Sequence, residues 1–120
     1  MSIPVEIVAL ADVMERHGPA AFFLSTGDDG RAHVSHVAVT WVGDELRVDV
    51  GRSGARNAAA RPSTTLLWPP IEAGGYSLIV DVAARVHDGH AVLTPQRAVL
   101  HRPAPAPDPG ASCGHDCAPL

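Results

Sequence analysis

Residues 31–42 alternate in a way that leaves few folds open to this chain. His33, Ser35, Val37, Val39 and Trp41 fall on one face of an extended strand, and Val34, His36, Ala38, Thr40 and Val42 on the other. Both faces are mostly apolar. A strand of that kind is covered on both sides, as in a closed barrel, and its few polar positions then face a pocket or an interface. The neighbouring segments share its period. Residues 20–26 run into Gly27-Asp28-Asp29-Gly30, a turn tolerant of positive φ, which predicts a hairpin with 31–42. Gly43-Asp44 predicts the next turn, after which Leu46, Val48 and Val50 face inward against Arg47 and Asp49.

The flanking segments fit a small barrel. Residues 4–17 have helical spacing, with Ile7, Leu10, Ala11 and Met14 forming one apolar stripe, Pro4 early in the first turn and Gly18-Pro19 as the stop. A short helix over 53–60 ends at Arg61-Pro62, and strands are expected over 63–68, 76–86 and 90–94, the last closed by Pro95. This order predicts a mainly β, α+β fold, a small antiparallel barrel with short flanking helices. The barrel domain is expected over residues 1–101. Beyond it Pro103, Pro105, Pro107 and Pro109 alternate with other residues, so 102–120 is expected to be an extended Pro-rich tail with no apolar face to bury.

At 120 residues the chain is sized for one domain. No apolar run approaches the roughly 20 residues of a membrane span, and Glu6, Asp12 and Glu15 interrupt the opening segment, which reads as a folded helix and not as a secretion signal. A cytoplasmic protein with no membrane partner is expected. All nine basic residues are arginine, which excludes lysine Schiff-base chemistry, and the formal net charge of −4 argues against a nucleic-acid partner. Both cysteines, Cys113 and Cys117, lie close to the C-terminus, so no disulfide ties the core.

The stretch GRSGARNAAARP, residues 51–62, gathers Arg52, Arg56 and Arg61 around Ser53. Ser53 is placed to cap the short helix, whose first amides, with the nearby arginines, form a phosphate-binding turn. An arginine-rich surface helix that needs no ligand fits the same residues. His33 and His36 lie three apart on a strand and point to opposite faces, which keeps them from sharing one metal. A packed ring making one hydrogen bond is expected of each. In the tail Cys113, His115 and Cys117, with Asp116 among them, offer a ligand set for zinc or another thiophilic ion. A reduced tail or a Cys113–Cys117 disulfide fits the same residues. Ser25, Ser35 and Ser53 have no G-x-S-x-G context, so the chemistry of any enzyme built on this chain falls to a cofactor.

Three stretches carry a family resemblance. FFLSTGDDGRAHVSHVAV reads as a strand, an acidic-glycine turn and G-x-x-x-V-S ahead of a second strand. DELRVDVGRSGARNAAARPSTTLLW reads as a third strand, a turn with Ser and a basic-Asn pair, a short helix ending in x-P and a fourth strand. YSLIVDVAARV reads as a fifth. In this order they resemble the FMN-binding split barrels related to pyridoxamine 5′-phosphate oxidase.

The resemblance implies a homodimer with FMN or a deazaflavin in a groove at the subunit interface, carrying out oxidoreduction on an unknown small molecule. Position by position it puts Ser35, Ser53, Arg56 and Asn57 near the phosphate, Val50 and Gly51 beside them and Trp68 at the border of the groove, and the basic cluster itself adds Arg52 to the phosphate candidates. Ser35 and Thr40 stand where members often have Arg or Lys. Ala55 replaces the basic residue that usually follows the serine by two, and Ala84-Arg85-Val86 keeps only the middle of the family's G-R-A. These departures leave open a non-enzymatic barrel that uses the groove for haem or another ligand.

Overall fold

The period-2 segments close into a ring. In the computed structural model, which describes residues 1–104, the chain runs β1 (Ser2–Val5), a 3₁₀ turn (Ile7–Ala9), α1 (Leu10–His17), β2 (Ala20–Thr26), β3 (Ala32–Val42) and β4 (Glu45–Asp49). It continues with α2 (Arg52–Ala60), β5 (Ser63–Trp68), β6 (Ser77–His87) and β7 (His90–His101). Antiparallel pairing joins β7 to β4, β4 to β3, β3 to β2, β2 to β5, β5 to β6, and β6 back to β7, so six strands form a closed barrel.

Strand parity decides the core. Phe23, Leu46, Val48, Leu66, Trp68, Leu78, Val80, Val82 and Leu93 point inward and are almost fully buried. Burial of such side chains, about 1.5–3 kcal/mol each, is the main force holding the ring closed. The two helices lie toward opposite ends of the β5–β6 hairpin. α1 lays Leu10, Val13 and Met14 on the barrel and ends where His17 Nε2 lies 3.2 Å from Tyr76 O. α2 enters β5 at its other end and buries Ala58. The β6–β7 hairpin turns through Asp88-Gly89, both with positive φ (44° and 86°), as a tight two-residue turn requires.

Two expectations about element bounds are corrected. The helix expected from residue 4 begins at Leu10, because residues 2–5 pair with β7, Pro4 lying opposite Val99. Pro4 is tolerated there because β1 is an edge strand, where a missing N–H faces no partner. Ile7 and Ala11 are therefore exposed, and Val13 joins Leu10 and Met14 in the apolar stripe. The strand expected to stop before Pro95 continues to His101. A bulge accommodates the proline: Pro95 lies opposite Val82 and Arg97 opposite Asp81, leaving Gln96 as the extra residue.

Among the described residues no helix is long and apolar enough to cross a membrane. The expected metal ligands Cys113, His115 and Cys117 lie outside the described residues, as does most of the proposed tail.

Candidate functional site

The turn that opens α2 is bare. Its N-cap is Gly51, extended at φ −72° and ψ 175°, and no side chain caps the helix. Ser53, expected as the cap, is instead the second helical residue, because the helix starts at Arg52 and its first internal bond runs from Ala55 N to Gly51 O at 2.9 Å. The amides of Arg52, Ser53 and Gly54 thus have no intrahelical acceptor and carry the positive end of the helix dipole.

Beneath this turn lie two polar atoms without partners. His33 Nδ1 and Ser35 Oγ are buried and make no hydrogen bond to any described residue. Both project from the inward parity of β3, the one that buries Val37 and Val39. They lie against Gly54, at which a Cβ would stand 3.9 Å from Ser35 Oγ, 4.0 Å from His33 Cε1 and 3.7 Å from Val50 Cβ. The expectation that His33 makes one hydrogen bond is therefore corrected at Nδ1, since α2 shields it from solvent without giving it a partner. His36 points outward and stacks on Phe22, ring centroids 4.9 Å apart.

A cleft of about 350 Å³ opens between α2 and the β2–β3 turn. It is lined by Asp28, Asp29 and Arg31 from the turn, His33 from β3, and Ser53, Arg56 and Asn57 from α2. The turn is fixed by its own bonds, Gly30 N to Gly27 O at 2.9 Å and Arg31 N to Asp29 Oδ1 at 3.0 Å. Arg61 ties the turn to the end of α2: its Nε donates to Thr26 O and its Nη2 to Asp28 Oδ1, both at 2.7 Å. The Arg61 hydrogen bond and then the Arg61 charge hold the Asp28 carboxyl below its ordinary range, and the charge of Arg56 adds to them.

The residues picked from sequence separate into three groups. Ser53, Arg56 and Asn57 meet at the cleft, and Ser35, Val50 and Gly51 lie under or beside the helix turn. Asn57 is buried and also braces the helix, its Nδ2 donating to Ser25 Oγ at 3.4 Å. Arg52 is exposed at the first helical position and does not line the cleft. Trp68 is corrected: it is fully buried in the core with Nε1 donating to Gly18 O at 2.9 Å, so it borders no groove. Arg85 is occupied by Glu45 in a two-pronged ion pair at 2.9 and 3.1 Å.

Sequence reasoning missed His33, Asp28, Asp29 and Arg31 as cleft residues. For His33 the signal was present, because it shares parity with Ser35. No group of three histidine, cysteine or carboxylate side chains among the described residues is placed to hold a metal.

The chain is 40% identical over 120 residues, covering 82% of this chain and 83% of theirs, to two uncharacterized proteins, Mb0449c of Mycobacterium bovis and MT0457 of Mycobacterium tuberculosis. No protein-family model matches it. Among solved structures it is similar to a Listeria innocua protein assigned to the pyridoxamine 5′-phosphate oxidases, with TM-score 0.63 and 12% identity over 78% of this chain and 96% of that one. It is also similar to an FAD-binding protein of Mycobacterium smegmatis, with TM-score 0.61 and 14% identity over 83% and 97%. An F420 reductase matches with TM-score 0.57 and 15% identity over 68% and 90%. The fold is thus the split barrel of the pyridoxamine 5′-phosphate oxidase-like proteins.

Proposed function

We propose a flavin-binding, oxidoreductase-type function for this chain, which belongs to the family of the mycobacterial proteins Mb0449c and MT0457. The observation that carries it is the bare first turn of α2 over the unpartnered His33 Nδ1 and Ser35 Oγ, beside Arg56 in the cleft. These donors suit the phosphate end of a flavin or deazaflavin, FMN being the simplest. Solved neighbours of the same fold, named for FAD and F420, support the cofactor class.

Each part of the site has a task. The α2 amides and Arg56 bind the phosphate, with Arg56 supplying a charge-assisted bond worth about 1.5–3 kcal/mol. Ser35 Oγ and His33 Nδ1 lie buried beneath the turn, where the missing side chain at Gly54 lets β3 approach the helix amides closely. Arg61 and Asp28 hold the turn and the helix at a fixed separation. When bound, a flavin or deazaflavin supplies hydride transfer, which the residues of the cleft do not provide themselves.

The ring of such a cofactor needs more wall than this cleft has. A second copy of the chain is the proposed source, making the active form a homodimer. In support, the outward face carries one half-buried apolar row across four strands, Phe22, Leu67, Ile79 and Val99, each directly opposite the next and extended by His36 opposite Phe22.

Quenching of flavin fluorescence on titration with the full-length protein tests the proposal. Saturable binding of FMN, FAD or a deazaflavin is expected, weakened about tenfold or more by Arg56→Ala. No saturable binding of any of the three would sink it.

A further inference from the structure

The tip of the β6–β7 hairpin sets two imidazoles side by side. Its two-residue turn, Asp88-Gly89, makes His87 and His90 direct cross-strand partners, and such partners share one face of the sheet. That face is the outer one, since the next pair, Val86 and Ala91, packs into the core. The two ring centroids lie 6.0 Å apart with 40° between the ring planes. His17 and His101 hydrogen-bond through their rings, but neither ring of this pair bonds to a described residue. Each neutral ring therefore keeps a nitrogen lone pair for a ligand.

Facing imidazoles at this spacing suit a single metal ion. Zinc–nitrogen bonds of about 2.0–2.1 Å at a tetrahedral ion put two ring centroids about 5 Å apart, so side-chain rotations that bring the rings about 1 Å closer complete the chelate. The backbone beneath them is fixed. His90 pairs with His87 on one side and Asp49 on the other, and Gly89 O accepts from Val50 N at 3.1 Å. The surrounding charge also favours a cation. Asp49 shares the face of His90, Asp88 lies in the turn, and Glu45 engages Arg85 at 2.9 and 3.1 Å, while Arg47 stands 3.7 Å from Asp49. Three carboxylates thus stand against two guanidiniums. Asp49 is not placed as a third ligand, which leaves the remaining positions to water. We infer that His87 and His90 chelate a divalent ion of the kind that imidazole suits, zinc being the probe. The pair shares no residue with the cleft and does not rest on the flavin reading.

Titration calorimetry of zinc into full-length, untagged protein tests this, in a Cys113→Ser, Cys117→Ser background that removes the thiolates of the C-terminal cluster. One ion is expected to bind per chain. His87→Ala and His90→Ala are each expected to weaken binding about a hundredfold, because either change reduces a two-point attachment to one. His36→Ala, which removes an outward histidine stacked on Phe22, is expected to leave it unchanged, and circular dichroism confirms that each variant is folded. Loss of binding in only one of the hairpin variants, in neither, or equally in His36→Ala overturns the inference. Zinc bound by the wild type but not by the thiol-free protein overturns it too, and places the ion on the C-terminal cluster.

Discussion

Gly54 is the residue at which stability and binding pull apart. A methyl group there would meet Val50, Ser35 and His33 at ordinary van der Waals distances of 3.7 to 4.0 Å, without clash. Replacing a helical glycine by alanine at a compatible site stabilises a protein by about 0.4–1 kcal/mol. Gly54→Ala is therefore expected to raise the unfolding free energy measured in urea by an amount in that range, while lowering flavin affinity because the methyl group stands between the helix amides and Ser35. Trp68 gives the opposite pattern. Trp68→Phe removes the bond to Gly18 O and leaves a gap in a fully buried site, costing about 2–3 kcal/mol. Its flavin affinity at a temperature where it is folded is expected to match the wild type, and a large loss would return Trp68 to the groove. The sequence did not separate these roles, because Leu66, Leu67 and Trp68 form an unbroken apolar run in which parity is invisible. His33 and Ser35 share the parity of Val37 and Val39, but Val34, Ala38 and Val42 make the opposite face equally apolar, so the alternation grouped them without saying which face is inward.

At the scale of elements, the meander of β2, β3 and β4, helix α2 and strand β5 were legible because alternation and turn residues agree along them. The two misplaced bounds have one cause: both depend on β7, whose second half pairs with β1 and passes a bulge at Pro95. Long-range pairing of that kind leaves no local trace in a sequence. The outer clamp on the barrel is equally non-local. Glu45 at the start of β4 accepts from Arg85 of β6 and, at 2.7 Å, from Thr94 of β7. Hydrogen bonding from Arg85 first, then from Thr94, lowers the Glu45 carboxyl from 4.5 to about 2. A folded-state value below the unfolded one means that the carboxylate stabilises the fold above pH 4.5, and that this contribution disappears as pH falls toward about 2. The stability difference between wild type and Glu45→Gln, from urea unfolding across pH, is expected to be constant near neutrality and to shrink through that window. A difference independent of pH would show that the clamp contributes nothing through its charge.

For the whole molecule the question is what covers the outside of the barrel. Alternation predicted a closed barrel from the apolar character of both faces of residues 31–42, but in the single chain only the inner face is covered. Val34 and Val42 on the outer face are 55% and 58% exposed. The apolar row from His36 to Val99 crosses the same surface, and a stable two-fold interface needs about 800 Å² from each copy. Sequence alone cannot assign that face, because burial by a second copy and burial by the chain's own elements demand the same residues. Ile79 lies near the middle of the row, between Leu67 and Val99, with its side chain outside the barrel. Ile79→Glu is therefore expected to leave the fold intact by circular dichroism while placing an unpaired charge at the centre of the proposed interface. Breaking an interface in this way costs several kcal/mol, enough to weaken dimerisation by about a hundredfold or more. Val8→Glu, at a residue 93% exposed and outside the row, serves as the control for introducing a charge alone. In sedimentation equilibrium the wild type and the control are expected to be dimers and Ile79→Glu a monomer, and the proposal that a second copy completes the cofactor site predicts that flavin affinity is lost in the same variant. A monomeric wild type with full flavin affinity would place the whole cofactor site within one chain and remove the need for the row.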